Sequence, residues 1–386
     1  MSVSESHTGH TPKVLIVAGE ASGDLHGSFL VREMLALCPG LHFYGIGGSK
    51  MKEAGVHQLA DAADIGVVGV TEVFAKLGAF LTIIAKIRKS MDQMKPNLVI
   101  LIDFPDFNLN IVARAAKKRG IKVFYYISPQ VWAWREGRVK QIKRLVDRMA
   151  VILPFEVDFY AGHGFAVDYV GHPLRDTVKS ELAPAAARRE FGLAETATTV
   201  GLLPGSRTAE IQKLLPEMMK AAEIISRRIP EVQYILPLAD TLNQGDVERI
   251  ISAAKIPVRI VPGRTCDVLA ACDLAIVTSG TATLETGLMG VPMVIIYKLS
   301  LFSAIIGRLF INPRHIGLVN IIAGRTVAPE LIQLDATGER IACEALAILQ
   351  NESKKQAMIA DLAAIRERLG EPGAARRAAQ IACDML

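Results

Sequence analysis

The stretch VLIVAGEASGDLH, Val14–His26, decides how the first half of the chain folds. The apolar or small run Val14–Ala18 leads into the turn Gly19–Asp24, and apolar residues then recur at helical spacing as far as Leu37. This order of strand, glycine turn and helix is typical of the opening unit of a parallel α/β sheet. Glu20 would lie at the carboxyl end of the strand, where open α/β sheets bind ligands. The pattern is not GxGxxG, so it indicates a dinucleotide only weakly, and a tight turn without a ligand stays open.

The same order returns in the second half of the chain. Thr199–Leu203 is a short apolar strand, Pro204–Arg207 is a turn, and apolar residues from Ile211 to Met219 follow at spacings of three and four. Two such half-chains predict an α/β protein with two doubly wound domains that face each other. We expect the first domain at residues 1–175 and the second at 190–360, with the C-terminal helix, about 365–386, packing back on the first.

Composition limits the functions that the chain can have. The 386 residues carry a net charge of +5, a sequence pI near 8.9 and 51% hydrophobic residues. This excess of positive charge suits anionic substrates or an anionic membrane surface, and it is too small to indicate nucleic acid. The five cysteines form no CxxC motif and read as buried thiols in a reducing compartment. No secretory signal or spanning run is found, so we expect a cytosolic chain.

Periodicity predicts the remaining elements. The predicted strands are Leu41–Ile46, Leu98–Ile102, Lys122–Ile127, Arg148–Leu153, Ala166–Val170, Val232–Pro237, Val258–Val261, Leu274–Thr278 and Val291–Ile296. Two stretches, Glu72–Met91 and Tyr297–His315, combine apolar stripes with basic residues. Glu72–Met91 fits an ordinary core-facing helix somewhat better, with contact to a membrane surface as the alternative, whereas the second stretch fits an interfacial helix at anionic lipid, although core packing explains its apolar positions nearly as well.

The segment IDFPDFN, Ile102–Asn108, places two carboxylates after a buried strand. Asp103 stands at the strand end and faces the ligand-binding edge of the sheet, whereas Asp106 is placed to cap the next helix. We therefore predict that Asp103 does chemistry and Asp106 has a structural role. The alternative is that both aspartates are structural.

Two further segments suit a diphosphate. LLPGSR places Gly205, Ser206 and Arg207 between a strand and a helix, and SGTATLE places Ser279, Gly280, Thr281 and Glu285 in the same relation. Backbone N–H groups at a helix start and a guanidinium bind phosphate oxygens, and Glu285 could accept hydrogen bonds from ribose hydroxyls. A surface arginine and an N-cap without a ligand are the alternatives.

Two loops carry other candidates. Ser128–Arg135 contains both tryptophans, which either wall a binding cleft or pack against the domain. The loop that begins at Val319-Asn320 could meet the sugar of a donor. The sequence holds no DxD, HExxH, P-loop or Cys/His cluster, so we predict no metal and no cofactor.

Together these motifs resemble the lipid-A-disaccharide synthase family. The resemblance covers most of the chain and rests on eight motifs in order: AGEASGD, IDFPDFN, SPQVWAWR, LPFE, GHPL, LLPGSR, SGTATLE and NIIAGR. Family members often have Ala where Phe104 stands and Ser where Gln130 stands, which leaves the polar residues of these motifs intact.

The resemblance implies a GT-B fold with two Rossmann-like domains and an inverting glycosyltransferase. It implies transfer of 2,3-diacylglucosamine from its UDP derivative to 2,3-diacylglucosamine 1-phosphate, giving a β-1,6 disaccharide, on the cytoplasmic face of the inner membrane. Asp103 would be the base, and the first domain would bind the acceptor while the second binds the donor. The implied donor residues are Gly205, Ser206, Arg207, Ser279, Gly280, Thr281, Glu285 and Asn320. The implied acceptor residues are Glu20, Ser22, Asn108 and Trp132.

Two other functions stay open at this point. One is another GT-B enzyme, such as a UDP-GlcNAc epimerase or the transferase that builds lipid II. The other is a non-catalytic peripheral protein that binds a lipid or a nucleotide. Release of UDP during turnover would exclude the non-catalytic binding protein.

Overall fold

The computed structural model describes residues 11–61, 73–134, 136–298 and 315–386. The chain divides into two compact units. Unit 1 comprises Met1–Pro173 together with Glu371–Leu386, and unit 2 comprises Leu174–Gly370. The chain thus leaves unit 1 once, builds unit 2, and returns for its last helix.

Unit 1 is built on a parallel sheet flanked by helices. Its strands are β1 Lys13–Ala18, β2 His42–Gly47, β3 His57–Asp61, β4 Leu98–Ile102, β5 Lys122–Tyr126, β6 Arg148–Val151 and β7 Asp168–Tyr169. Its helices are α1 Ala21–Leu37, α2 Ser49–Glu53, α3 Val73–Met94, α4 Pro105–Lys117, α5 Val131–Trp134, α6 Val139–Leu145, α7 Phe155–Gly162 and, at the chain's end, α17 Ala374–Cys383. Within α4, the segment Asn108–Ala113 is a π-helical turn.

The order of the strands in unit 1 is β3-β2-β1-β4-β5-β6-β7, and every pair is parallel. The five residues of β4, LVILI, are all buried, because helices cover both faces of a parallel sheet. One face packs against α3, α4 and α6, and the other packs against α1, α2 and α17. The C-terminal helix is therefore part of the core of unit 1.

Unit 2 repeats this architecture. Its strands are β8 Thr199–Leu203, β9 Gln233–Leu238, β10 Val258–Pro262, β11 Leu274–Thr278, β12 Met293–Tyr297 and β13 Glu330–Ile332. Its helices are α8 Leu174–Thr177, α9 Pro184–Glu190, α10 Thr208–Ser226, α11 Gln244–Ala253, α12 Thr265–Ala270, α13 Thr281–Leu288, α14 Leu318–Ala323, α15 Gly338–Leu349 and α16 Glu352–Arg368. The strand order is β10-β9-β8-β11-β12-β13, again all parallel.

Each sheet has one point where the chain changes its direction of winding. In unit 1 it lies between β1 and β4, and in unit 2 it lies between β8 and β11. Ligands of open α/β sheets bind outside the carboxyl ends of the strands at such a point. The motifs AGEASGD and IDFPDFN follow β1 and β4, and LLPGSR and SGTATLE run from β8 and β11. The topology therefore brings the predicted motifs together in pairs.

The predicted α/β class is confirmed, and each predicted strand is present within a few residues. Two edge strands, β3 and β13, were missed because they are short and only partly buried. The membrane-contact stretch Tyr297–His315 lies largely outside the described residues, as does Glu72 at the start of the other. Among the described helices, none has the length and apolar character needed to span a membrane.

Candidate active site

The turn after β4 holds Asp103 in an unusual backbone conformation. Asp103 and Phe104 both have left-handed φ angles, 49° and 48°. Aspartate tolerates this region, but an aromatic residue there costs of order 1–3 kcal/mol. The surrounding structure fixes the turn: the hydroxyl of Tyr125 donates to the Asp103 carbonyl at 2.7 Å, and the amide of Asn108 donates to the same oxygen at 2.7 Å. These two buried side chains thus fix the backbone of Asp103 at the edge of the sheet.

The environment of the Asp103 carboxyl favours proton uptake. Burial raises its pKa above the ordinary value of 3.8, and the backbone N–H of Phe104 opposes this in part. A general base works best when its pKa lies closer to the working pH. The direction of this shift therefore suits Asp103 for accepting a proton.

Asn108 and Asp106 both make contacts within unit 1. Asn108 is completely buried, and its amide group donates to the carbonyls of Ile102 and Asp103, so its side chain supports the Asp103 turn. The predicted contact between Asn108 and the acceptor stays a prediction. Asp106 is not the N-cap, because the helix begins at Pro105; it lies in the first turn and pairs with Arg138.

The turn after β1 lies beside the Asp103 turn. A β-carbon at Gly19 would overlap the ring of Phe104, so glycine is required for the two turns to approach each other. Glu20 and Ser22, which follow, are exposed at this edge. Both are therefore accessible to an acceptor beside Asp103.

Asp24, the last residue of the AGEASGD motif, is structural. Its carboxylate accepts from the backbone N–H groups of Gly48, Lys50 and Met51 at 2.7, 3.1 and 3.0 Å. This satisfies the free donors at the start of α2. The carboxylate thereby ties the first turn of α1 to the end of β2 and explains why the motif ends in an acid.

The tryptophan loop is anchored by a buried carboxylate, Glu156, which ends the LPFE motif but was not among the predicted site residues. Trp132 Nε1 donates to Glu156 Oε1 at 3.3 Å, and the indole stands edge-on to Phe155 at 4.9 Å. The other oxygen of Glu156 accepts from the backbone N–H groups of Ile152 and Leu153. Burial raises the pKa of Glu156 to about 7 despite these donors. The LPFE motif, Leu153–Glu156, therefore supports Trp132.

Unit 2 contains a pocket of about 370 Å³ at the carboxyl ends of β8 and β11. Its lining includes every predicted donor residue except Asn320, namely Gly205, Ser206, Arg207, Ser279, Gly280, Thr281 and Glu285. Burial raises the pKa of Glu285. The pocket also includes Thr278, whose buried hydroxyl has no hydrogen-bond partner among the described residues, and Glu210. Neither was predicted, although both lie within or next to the quoted motifs.

Glu210 occupies the N–H groups that a phosphate was expected to bind. Its carboxylate accepts from the backbone N–H groups of Ser206 and Arg207 at 3.1 and 3.3 Å, and Arg207 Nη1 lies 3.2 Å from it. This is a capping box at the start of α10. The guanidinium is otherwise 77% exposed, so it remains available at the pocket rim.

The start of α13 is tied to the start of α14. The hydroxyl of Ser279 donates to the carbonyl of Ile316 at 3.0 Å, and the backbone N–H of Leu318 donates to Thr283 Oγ1 at 3.3 Å. Gly280, at φ 148°, adopts a backbone conformation that favours glycine. These bonds fix the hydroxyl-rich turn that lines the pocket.

Asn320 lies outside this pocket. It is completely buried; its amide nitrogen donates to Ala328 and Glu330, and its oxygen accepts from the backbone N–H groups of Val327 and Ala328. Glu330 also accepts from the backbone of Gly317. The side chain of Asn320 therefore orders the segment around α14, and its predicted contact with the donor stays a prediction.

Solved structures with a similar fold identify the class. A putative UDP-N-acetylglucosamine 2-epimerase from Listeria monocytogenes matches with a TM-score of 0.63, 13% identity and coverage of 95% of this chain and 94% of that one. MurG from Acinetobacter baumannii matches with a TM-score of 0.59, 15% identity and coverage of 97% and 99%. With two parallel doubly wound units, the chain has the GT-B fold.

Sequence comparison then gives the family. The model of the lipid-A-disaccharide synthetase family matches residues 14–385. The lipid-A-disaccharide synthases of Syntrophus aciditrophicus and Geobacter sulfurreducens are 56% and 49% identical to it, each over 97% of both chains. The chain belongs to the lipid-A-disaccharide synthase family. It is a glycosyltransferase that forms the lipid A disaccharide.

Proposed function

We propose that the enzyme transfers 2,3-diacylglucosamine from its UDP derivative to the 6-hydroxyl of 2,3-diacylglucosamine 1-phosphate. The products are the β-1,6 disaccharide 1-phosphate and UDP. The observation that carries the proposal is the unit 2 pocket, because two strand ends bring a guanidinium, a helix start and hydroxyl groups into one space of about 370 Å³. That combination suits the diphosphate and ribose of a UDP-sugar.

Asp103 is the proposed general base. The donor is α-linked and the product is β-linked, so one in-line displacement inverts the anomeric carbon. The acceptor hydroxyl loses its proton to Asp103 as its oxygen attacks that carbon, and the bond to the UDP oxygen breaks. The raised pKa of the Asp103 carboxyl supports this role. Glu20, Ser22 and Trp132 would orient the acceptor in unit 1.

When the bond to the UDP oxygen breaks, negative charge develops on the diphosphate. We propose that positive charge, and not a proton donor, stabilises it. Arg207 and the N–H groups at the start of α13 supply positive potential at the pocket. No cluster of three acidic, histidine or cysteine residues suitable for a metal occurs within the described residues. We infer that the guanidinium and the helix start stabilise the departing diphosphate.

The acylated substrates suggest a membrane location. Net charge is +5, and α3 exposes Lys86, Arg88 and Lys89 together with Leu81. We propose peripheral binding to the cytoplasmic face of the inner membrane, where anionic lipids attract exposed cations.

Mass spectrometry of the products tests the proposal. The enzyme is incubated with UDP-2,3-diacylglucosamine and 2,3-diacylglucosamine 1-phosphate in detergent. The expected result is a disaccharide 1-phosphate with one UDP released for each. Turnover of unacylated UDP-GlcNAc to an epimer, with no disaccharide, would instead assign the epimerase activity of its structural neighbours.

A further inference from the structure

A second concave site lies in unit 1, away from the Asp103 turn. It has a volume of about 390 Å³ and is formed between α3 and α4. Arg88 comes from α3, and Arg114, Lys118 and Arg119 come from the end of α4 and the residues after it. We call this site the α3–α4 basic pocket.

The charges of this pocket are largely uncompensated. Arg119 forms a two-pronged ion pair with Asp92, at 2.7 and 2.9 Å. Arg88, Arg114 and Lys118 are exposed and have no carboxylate partner within the described part of the chain. Four cations thus share one carboxylate in a small concavity. Their mutual repulsion is relieved when an anion enters.

The side chains suit a phosphate group. Arginine presents a planar fork of N–H donors that matches phosphate oxygens, and lysine adds a compact charge. The amide of Asn110 also lines the pocket, and its oxygen is already used by Gln141. The Asn110 nitrogen therefore remains as a neutral donor toward an anion.

An exposed apolar residue lies on the same helix face. Leu81, which is 57% exposed, precedes Arg88 by seven residues, or about two helical turns. Ile84 lies between them and Ile111 lines the pocket itself, and both are partly buried against the core of unit 1. A free phosphate ion gains nothing from an apolar neighbour, whereas a lipid presents a phosphate directly above its acyl chains. The combination favours a lipid.

We propose that the α3–α4 basic pocket binds the phosphate of an anionic phospholipid headgroup and seats the enzyme on the membrane through α3. This rests on the proposed function only in that acylated substrates require access to a membrane. The pocket is a discrete site, so binding depends on these cations and not merely on net charge.

Vesicle binding by matched charge variants tests the proposal. The variant Arg88→Gln/Arg114→Gln/Lys118→Gln is compared with Arg32→Gln/Lys50→Gln/Lys52→Gln, which removes the same charge from α1 and α2 on the opposite face of the sheet. Each cation at an anionic membrane contributes about five-fold in affinity, so the pocket variant should bind phosphatidylglycerol vesicles about 100-fold more weakly. The control variant should remain close to wild type.

Equal weakening of both triple variants would overturn the proposal, since net charge would then explain binding. Unchanged binding by the pocket variant would also overturn it. If 10 mM inorganic phosphate binds the pocket while vesicle affinity is the same in wild type and variant, a free anion is the ligand and the lipid proposal fails. Melting temperatures check folding, and the single variant Arg114→Gln, expected to lose about five-fold, serves if the triple variant unfolds.

Activity on substrates in detergent micelles separates this inference from the proposed function. The substituted cations come from α3 and from the end of α4, at least eleven positions from Asp103 in the sequence, so kcat in micelles should match wild type. If the wild-type enzyme forms no disaccharide, the proposed function is contradicted, independently of the vesicle-binding results.

Discussion

The substitution Asp103→Asn separates chemistry from structure at the end of β4. Asparagine keeps the size of the side chain and tolerates left-handed φ as well as aspartate does. The bonds from Tyr125 and Asn108 go to the backbone carbonyl of residue 103, so they survive the change. Only the capacity to accept a proton is lost.

The expected magnitude follows from the role of a general base. Such a group typically contributes about 10²–10⁴-fold to the rate, so kcat should fall by that factor. Burial raises the pKa of Asp103, which means that folding favours its protonated form. Its contribution to stability is therefore complete at low pH and is lost as the pH rises through the folded-state pKa. At neutral pH the uncharged asparagine should leave the melting temperature equal or higher.

Three measurements on one preparation test this reasoning: kcat, UDP affinity and melting temperature. Asp106→Asn is the matched control, since Asp106 is exposed and its pairing with Arg138 has little energetic value. The control should retain nearly full kcat. An Asp103→Asn enzyme with the kcat of wild type would refute the assignment, and Glu20 would become the next candidate for the base.

Three further predictions address the donor, the tryptophan loop and metals. Arg207→Gln should weaken UDP binding about 10-fold, which is at the low end for a charge-assisted hydrogen bond because the side chain is 77% exposed. The control Arg227→Gln, at the far end of the same helix, should leave UDP affinity unchanged. Equal UDP affinities of the two variants would contradict a role of Arg207 in binding the diphosphate. The chain has only two tryptophans, and both lie in one loop. Intrinsic fluorescence should therefore report the ionisation of Glu156 as a transition near pH 7, and Glu156→Gln should abolish that transition. If the transition persists in the variant, another group is responsible for it. Turnover should survive excess EDTA, and activity lost to EDTA but restored by Mg²⁺ would disprove the expected independence of metals.

The fold was predictable because its signals are local and repeated. Buried parallel strands such as β4 and β11 are continuous apolar runs, and each ends at glycine or a polar residue. The alternation of these strands with helices predicts doubly wound sheets. In such sheets the motifs that follow neighbouring strands meet at one edge. The short edge strands β3 and β13 carry no such run, so the sequence did not reveal them.

The site was predictable at the level of motifs but not of single contacts. The pocket of unit 2 collects residues that lie some 70 positions apart, because β8 and β11 are neighbours. Sequence position alone does not show which side chain of a motif turns inward. Asn108 and Asn320 lie in motifs of the expected kind, yet both are completely buried and bond to backbone groups. The role of Glu156 was missed because one of its partners, Trp132, lies 24 residues earlier in the chain.

The π-helical turn within α4 illustrates this limit. Asn108 begins that turn, and its side chain reaches back to Ile102 and Asp103. π-helical turns are frequent at functional sites, but apolar periodicity does not distinguish them from α-helix over six residues. The sequence therefore predicts a helix after Asp103 correctly but does not predict its π-helical geometry.

The return of the chain to unit 1 has a consequence for biosynthesis. Ala378, Ala379, Ala382 and Met385 of the last segment are buried in the core that also contains the first strand. Unit 2 is contiguous in the chain, so it has all of its residues when translation reaches position 370. Unit 1 lacks part of its core until the ribosome has added the α17 residues. The half that carries Asp103 should therefore mature last, and released chains truncated after Gly370 should display a protease-resistant unit 2 beside a protease-sensitive unit 1.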